Sequence, residues 1–188
     1  MLSIQDKPTQ QGIYVTNDLL EAWDGAVRWW LETLDGRVLE SGQSPVNAVP
    51  QSATPVRTLD FSDHISDDNR RELVFIAELM QGDRRIALQA ATFVPTKHLD
   101  LHDPQVTATL SSEKGQLIIQ LEACSLARLV EVLLEGAEVV FTDNYFDLPA
   151  GRMVTVICPL PAGWTLEQAQ AALRIRSVYD SYAHSAVA

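Results

Sequence analysis

The chain has 188 residues and only two cysteines, Cys124 and Cys158. A small scaffold held by several disulfide bridges is therefore excluded. There is no apolar run of the roughly 20 residues that a bilayer-spanning helix needs. The opening stretch MLSIQDKPTQ lacks the apolar core of a secretory signal; in a piece of a longer protein that absence says nothing, and the compartment, cytoplasmic or periplasmic/secreted, stays open. Basic residues are also in short supply, with 14 Lys and Arg against 25 Asp and Glu and a net charge of -11. Phosphate backbones and anionic membranes attract clustered cations, so neither nucleic acid nor a membrane is an expected partner.

What is present is ample apolar material. The hydrophobic share of 46% is that of a chain with a packed core. Acid concentrates locally in DFSDHISDDNRRE, which reads as a solvated loop. The cysteines face different surroundings. In LIIQLEAC, Cys124 falls in phase with Gln120 and Glu122; in VTVIC, Cys158 falls in phase with Val154 and Val156. One polar-facing and one core-facing thiol are not expected to form a bridge, and two free thiols lean towards a reducing compartment.

The dominant period is two, the signature of strands. GIYVTNDL alternates. AVRWWLETL places Val27, Trp29 and Leu31 on one face and Arg28, Trp30 and Glu32 on the other. Asp35-Gly36 and Gln81-Gly82-Asp83 are hairpin signals. VNAVPQSATPVRTLDF, rich in proline and small residues, suits edge strands and loops. After PTKHLDLHDP the pattern restarts with QVTATLSS, GQLIIQLEA, ARLVEVLLEG, AEVVF and RMVTVICPL. ARLVEVLLEG also fits a short amphipathic helix, but its neighbours favour a strand. TLEQAQAAL is the one convincing helix, with Thr165 and Gln168 forming a capping box. LRIRSVYDSY reads as the closing strand. The expected fold is all-β: two consecutive immunoglobulin-like β-sandwich domains, residues 1–97 and 98–188, with one short helix near the C-terminus.

Motifs for catalysis are missing. No G-x-S-x-G elbow, P-loop, GxGxxG or H-E-x-x-H occurs. HLDLHD would place His98, Asp100 and His102 on one face if extended, a ligand set suited to zinc or iron. The preferred reading is an interdomain linker, and neither a metal nor a cofactor is expected. DHISDDN lacks the oxygen spacing and central glycine of a calcium loop. Among the tryptophans, Trp23, Trp30 and Trp164 are candidates for exposure, and Trp30 and Trp164 are the candidate carbohydrate-binding residues.

FTDNYFDLPAG, Phe141 to Gly151, admits two readings: a binding loop, or a corner joining two strands. As a corner, Asp143 and Asn144 bond nearby backbone, Tyr145 or Phe146 plugs the core edge, and Pro149 to Gly151 turn the chain into the strand near Arg152.

FTDNYFDLPAGRMVTV resembles the signature of the last immunoglobulin-like domain of family 2 glycoside hydrolases of the β-mannosidase type. The family form is close to FSDNYFDLLPGE; here Thr142 replaces the serine, and Leu148-Pro149-Ala150-Gly151 shifts the turn by about one position. IYVTNDLLEAWDGAVRWWLETLDGRVL is similar to the opening of the family's preceding sandwich, with V-x-N-D-x-L at Val15, Asn17, Asp18 and Leu20. PTKHLDLHDPQV looks like its linker and LRIRSVYDSY like its final strand. The resemblance implies non-catalytic accessory domains of an enzyme that cleaves terminal β-D-mannosides with retention. Related exo-β-glucosaminidases share the arrangement. It also implies a partner, a preceding (β/α)8 barrel in the same polypeptide that carries both catalytic glutamates. No residue here inherits a catalytic role, since a barrel takes about 250 residues of alternating β and α pattern. The alternative is a carbohydrate-binding module for mannan-type oligosaccharides.

Overall fold

The computed structural model describes residues 1–6 and 8–183. It divides into two compact units, Met1–Asp100 and Leu101–Ala188. Each is an immunoglobulin-like sandwich of short antiparallel strands.

The first unit contains β1 (Leu2–Asp6), β2 (Gln10–Asn17), β3 (Trp23–Thr33), β4 (Val38–Ala48), β5 (Ser52–Asp60), β6 (Leu73–Gln81) and β7 (Arg84–Thr92). One sheet has the order β1-β2-β5 and the other β4-β3-β6-β7. The period-two pattern sets what lies between them. Ile13 and Val15 come from one sheet, and Val27, Trp29, Leu31 and Phe75 from the other, all in one buried cluster. Phe61, just past β5, lies among three rings: Trp29, Phe75 and Phe93 have centroids 6.1, 5.5 and 6.5 Å away. Full burial of such a ring contributes about 1.5–3 kcal/mol. β3 turns into β4 around Asp35-Gly36, and β6 into β7 around Gly82 at φ 59°, the left-handed backbone that a glycine adopts freely. The strand β1 falls in the opening segment, where alternation alone did not reveal it.

The second unit contains β8 (Thr107–Glu113), β9 (Gln116–Glu122), β10 (Ala127–Leu134), β11 (Phe146–Leu148), β12 (Val154–Pro159), α1 (Leu166–Ala172), β13 (Leu173–Arg176) and α2 (Val178–Ala183). Its sheets have the orders β12-β9-β8 and β11-β10-β13. Leu117, Ile119, Leu121, Val130, Val132, Val156 and Cys158 form the core, and α1 adds Ala169. Residues 127–134 are a strand, because Ala127, Val130, Val132 and Leu134 can all be buried on a sheet face. The capping box is present: Gln168 N–H donates to Thr165 Oγ1 and Thr165 N–H to Gln168 Oε1, at 3.2 and 2.8 Å.

Two segments depart from expectation. LRIRSVYDSY is a strand only through Arg176; Ser177 then opens α2, with its N–H and hydroxyl both donating to Asp180 Oδ2. That pair satisfies backbone at the helix start, and Ser-x-x-Asp was the cue for it. AEVVF is not a strand. Its Ala137, Val139 and Phe141 pack on the core, but no ladder partner runs beside residues 137–141.

Proline marks the open borders. Pro45 lies in β4, Pro55 in β5 and Pro159 at the end of β12, and each of these strands is the outermost of its sheet. A residue without an N–H is tolerated there because no neighbouring strand needs the donor. The ladder between β2 and β5 slips register between Ile13 and Tyr14, where Tyr14 faces Pro55.

Trp29 also fixes a position on its neighbour. Gly42 lies directly opposite on β4, and a Cβ there would come within 2.4 Å of the Trp29 Cζ2 atom. Arg57 stacks on the ring, its guanidinium carbon 5.9 Å from the centroid. Gly42→Ala is expected to destabilise the protein by about 1–3 kcal/mol through overpacking. Urea unfolding followed by tryptophan fluorescence checks this; an unchanged midpoint contradicts it.

Candidate functional site

The corner Phe141–Gly151 leaves the core at Phe141 and is fastened residue by residue. Thr142 N–H donates to Ile157 O (2.8 Å), and Thr142 Oγ1 accepts from Ile157 N–H (2.9 Å), tying the corner to β12. Asp143 Oδ1 accepts from Asn144 N–H at 2.8 Å. Asn144 then reaches to β10: its Oδ1 accepts from Val132 N–H at 2.8 Å, and its Nδ2 donates to Val132 O at 2.9 Å. The side-chain amide thus makes the two bonds that a paired strand residue would make. β11 pairs with β10 only at Leu148 and Phe146, so Asn144 extends the sheet where the backbone has departed.

That anchoring fixes the next residue. Tyr145 N–H donates back to Asn144 Oδ1 at 3.1 Å, and Tyr145 takes φ 60°. A tyrosine in this left-handed region is strained by about 1–3 kcal/mol. Tyr145 is 61% exposed, whereas Phe146 is half-buried against the core. Phe146 is therefore the plug of the pair and Tyr145 points outward. The left-handed turn at Tyr145, just before β11 begins at Phe146, separates them, one outward and one in. Beyond β11 the chain turns: Gly151, at φ 65°, donates its N–H to Ala123 O at 2.9 Å.

Asp147 fastens the facing strand. Between Ala127 and Val130 the ladder carries a bulge, and Leu129 sits there at φ 49°. Leu129 N–H donates to Asp147 Oδ1 at 3.1 Å, and Arg128 Nε lies 3.2 Å from the same oxygen. The Arg128 contact is a meeting of charges rather than an aligned hydrogen bond. Burial holds the Asp147 carboxyl above its ordinary range, outweighing the opposing pull of Arg128 and the Leu129 N–H.

Tyr145 and Leu129 border one open groove of about 720 Å³, with Glu131, Ile175, Arg176 and Val178. Leu129 is 48% exposed. The Tyr145 hydroxyl donates to Glu131 Oε1 at 2.8 Å. Hydrogen bonding to Glu131, with its charge, pushes the phenol pKa up, so the hydroxyl stays protonated at neutral pH.

The remaining sequence candidates are dispersed. Trp30 is half-buried on β3, opposite Ile76 of β6. Trp164 and Trp23, expected to be exposed, are half-buried against the second and first cores respectively. Trp164 precedes α1 in a turn whose N–H bonds Pro161 O, which lays its indole on the core. His98 and His102 are exposed, and Asp100 pairs with Arg71 at 2.9 Å. No cluster of three metal-ligating side chains forms among the described residues. In the acidic loop, Asn69 accepts from Ser66 N–H and donates to His64 O, ordinary turn chemistry. Cys124 is exposed; Cys158 is buried, which pushes its thiol pKa up. What sequence reasoning missed was the groove, since its walls are brought together by β10, β13 and α2 from distant parts of the chain.

Two immunoglobulin-like sandwiches, the second closed by a side-chain-anchored corner, define a pair of consecutive immunoglobulin-like β domains. Residues 9–98 match the family model of the Mannosidase Ig/CBM-like domain, and residues 101–181 that of the mannosidase Ig-fold domain. The chain thus belongs, over nearly its whole length, to the mannosidase families of immunoglobulin-like domains, one member of each in succession. No curated protein matches it significantly. Among solved structures, the β-D-mannosidase from Dictyoglomus thermophilum superposes with a TM-score of 0.82 at 17% identity, over 95% of this chain and 21% of that one. The exo-chitosanase CsxA from Amycolatopsis orientalis gives 0.65 at 16% identity, over 94% of this chain and 25% of that one. The chain thus spans about a fifth to a quarter of the length of these structural relatives, and no catalytic barrel is present among the described residues.

Replacing Asn144 by alanine removes both bonds to Val132 and is expected to cost about 2–3 kcal/mol in urea unfolding. A second expectation concerns acid. The Asp147 carboxyl, followed by ¹³C NMR, titrates above the ordinary 3.8. A carboxyl whose folded pKa is raised loses stability as pH climbs from the unfolded value through the folded one. On acidification across that window the wild type therefore gains stability relative to Asp147→Asn. A midpoint at or below 3.8 contradicts this.

Proposed function

We propose that these domains serve a β-mannosidase-like glycoside hydrolase that removes terminal β-D-mannosides, packing on its (β/α)8 catalytic barrel and carrying no catalytic residue themselves. The observation that carries this reading is coverage. Two non-catalytic domain families account for residues 9–98 and 101–181 of this chain, whereas the glycosidases of the same fold are several times longer. A surface suited to packing supports it. The loop after β2 exposes Leu19 and Leu20, and Asn17 holds the loop in shape. Asn17 is buried; its amide donates to Glu21 O and Ala48 O and accepts from Leu19 N–H. Two leucines held rigidly in water are the kind of apolar surface that covers a neighbouring domain.

Substrate choice between a β-mannoside and a β-glucosaminide follows the two structural relatives, one a β-D-mannosidase and the other an exo-chitosanase. A second reading, direct contact with oligosaccharide, is favoured by the groove beside Tyr145, with Trp30 and Trp164 as the alternative contacts.

The purified chain is expected to release no nitrophenol from p-nitrophenyl β-D-mannoside or β-D-glucosaminide. Turnover that co-purifies with the chain overturns the accessory reading.

A further inference from the structure

We propose that the groove bordered by Tyr145, Leu129, Glu131 and Arg176 in the second domain is a contact site for a short β-linked oligosaccharide. The choice of saccharide rests on the glycosidase reading above, but the site stands on its own geometry. Two apolar side chains with left-handed backbone, Tyr145 at φ 60° and Leu129 at φ 49°, line the same groove, and both remain exposed. Glycine or asparagine would meet the needs of either turn with less strain, so turn formation does not account for the side chains. Packing does not account for them either, because the neighbouring Phe146 fills the core edge.

The chemistry of the walls selects the occupant. A pyranose offers an apolar face of C–H groups and a rim of hydroxyls. The Tyr145 ring supplies a flat surface for the first, next to Leu129 and Ile175. Glu131 and Arg176, directly opposite each other on β10 and β13, supply an acceptor and donors for the second. The hydrogen bond from Tyr145 to Glu131 fixes both groups before any ligand arrives, which lowers the ordering cost of binding. The volume, about 720 Å³, lies in the range of small-ligand sites and exceeds that of a single sugar ring. The site is open, so weak binding is expected, with a dissociation constant of about a millimolar.

The test is ¹⁵N NMR of the whole chain titrated with β-1,4-mannotetraose and, separately, with the β-1,4-linked tetramer of glucosamine. Saturable shifts of the Leu129, Tyr145 and Ser177 to Ser181 amides with either sugar support the site, and the sugar that binds more tightly names the class. Tyr145→Ala is expected to weaken binding at least tenfold, and Tyr145→Phe, which keeps the ring, only a few-fold. Glu131→Gln keeps the shape of the groove and is expected to weaken binding several-fold, so the site stays testable if the alanine variant fails to fold. Four results overturn the proposal: no saturable shift up to about 20 mM sugar, well above the expected range; shifts confined to the surroundings of Trp30 or Trp164; unchanged affinity in Tyr145→Ala or Glu131→Gln; or self-association in sedimentation that Tyr145→Ala abolishes, which would assign the groove to a protein contact. None of these bears on hydrolysis, which tests the accessory reading separately.

Discussion

The second domain depends on one side-chain amide that stands in for a strand. Asn144 accepts from and donates to the same residue, Val132, as a main-chain neighbour would. Only a planar group with an acceptor and a donor side by side can do this. Aspartate lacks the donor, and serine or threonine is too short to offer both at that spacing. Because β11 is three residues long, the middle of β10 would otherwise have unsatisfied backbone on that side. The amide also sets the conformation of the next residue. The same oxygen that receives Val132 N–H receives Tyr145 N–H, and the left-handed turn at Tyr145 closes that small ring of bonds. Exposure of the tyrosine and burial of Phe146 are consequences of this bonding.

A similar logic governs the facing bulge. Arg128 and Asp147 are largely buried, at 15% and 18% side-chain exposure. Asp147 accepts the Leu129 N–H that the bulge has taken out of the ladder. The charge pair is therefore less a source of net stability than a device that fixes one irregular geometry, which is the better-supported role of buried ions. The corner and the bulge, 12 or more residues apart in the chain at their bonds (Asn144 to Val132, Asp147 to Leu129), set the two walls of a single groove.

Most of the fold was legible because alternation is a physical requirement of a sheet with one buried face. Trp29 and Trp30 separated onto opposite faces of β3 on that ground alone, as did the polar Cys124 and the buried Cys158. Asp35-Gly36 and Gln81-Gly82 marked turns because glycine accepts left-handed backbone. The family was legible through FTDNYFDLPAG, whose spacing reflects the bonds of Thr142, Asn144 and Asp147 to three different strand positions. Alternation failed in AEVVF, which has the right side chains but no partner strand. It failed again in SVYDSY, where the Ser177–Asp180 pair outweighed the β-branched and aromatic content. The groove could not be read at all, because its lining comes from elements that meet only after folding.

The prolines of the border strands have an outward consequence. A sandwich with unclosed sheets offers rows of free backbone groups to other molecules, the geometry by which chains stack into fibrils. β4 and β5 interrupt that row with a residue that has no N–H, at Pro45 and Pro55, and on β12 Thr142 already occupies both backbone groups of Ile157. An intruding strand meets a missing donor on β4 and β5 and occupied groups on β12, and a surface of net charge -11 repels a second copy before it arrives. The residues that interrupt the ladder thus help to keep a domain with open sheets from propagating itself.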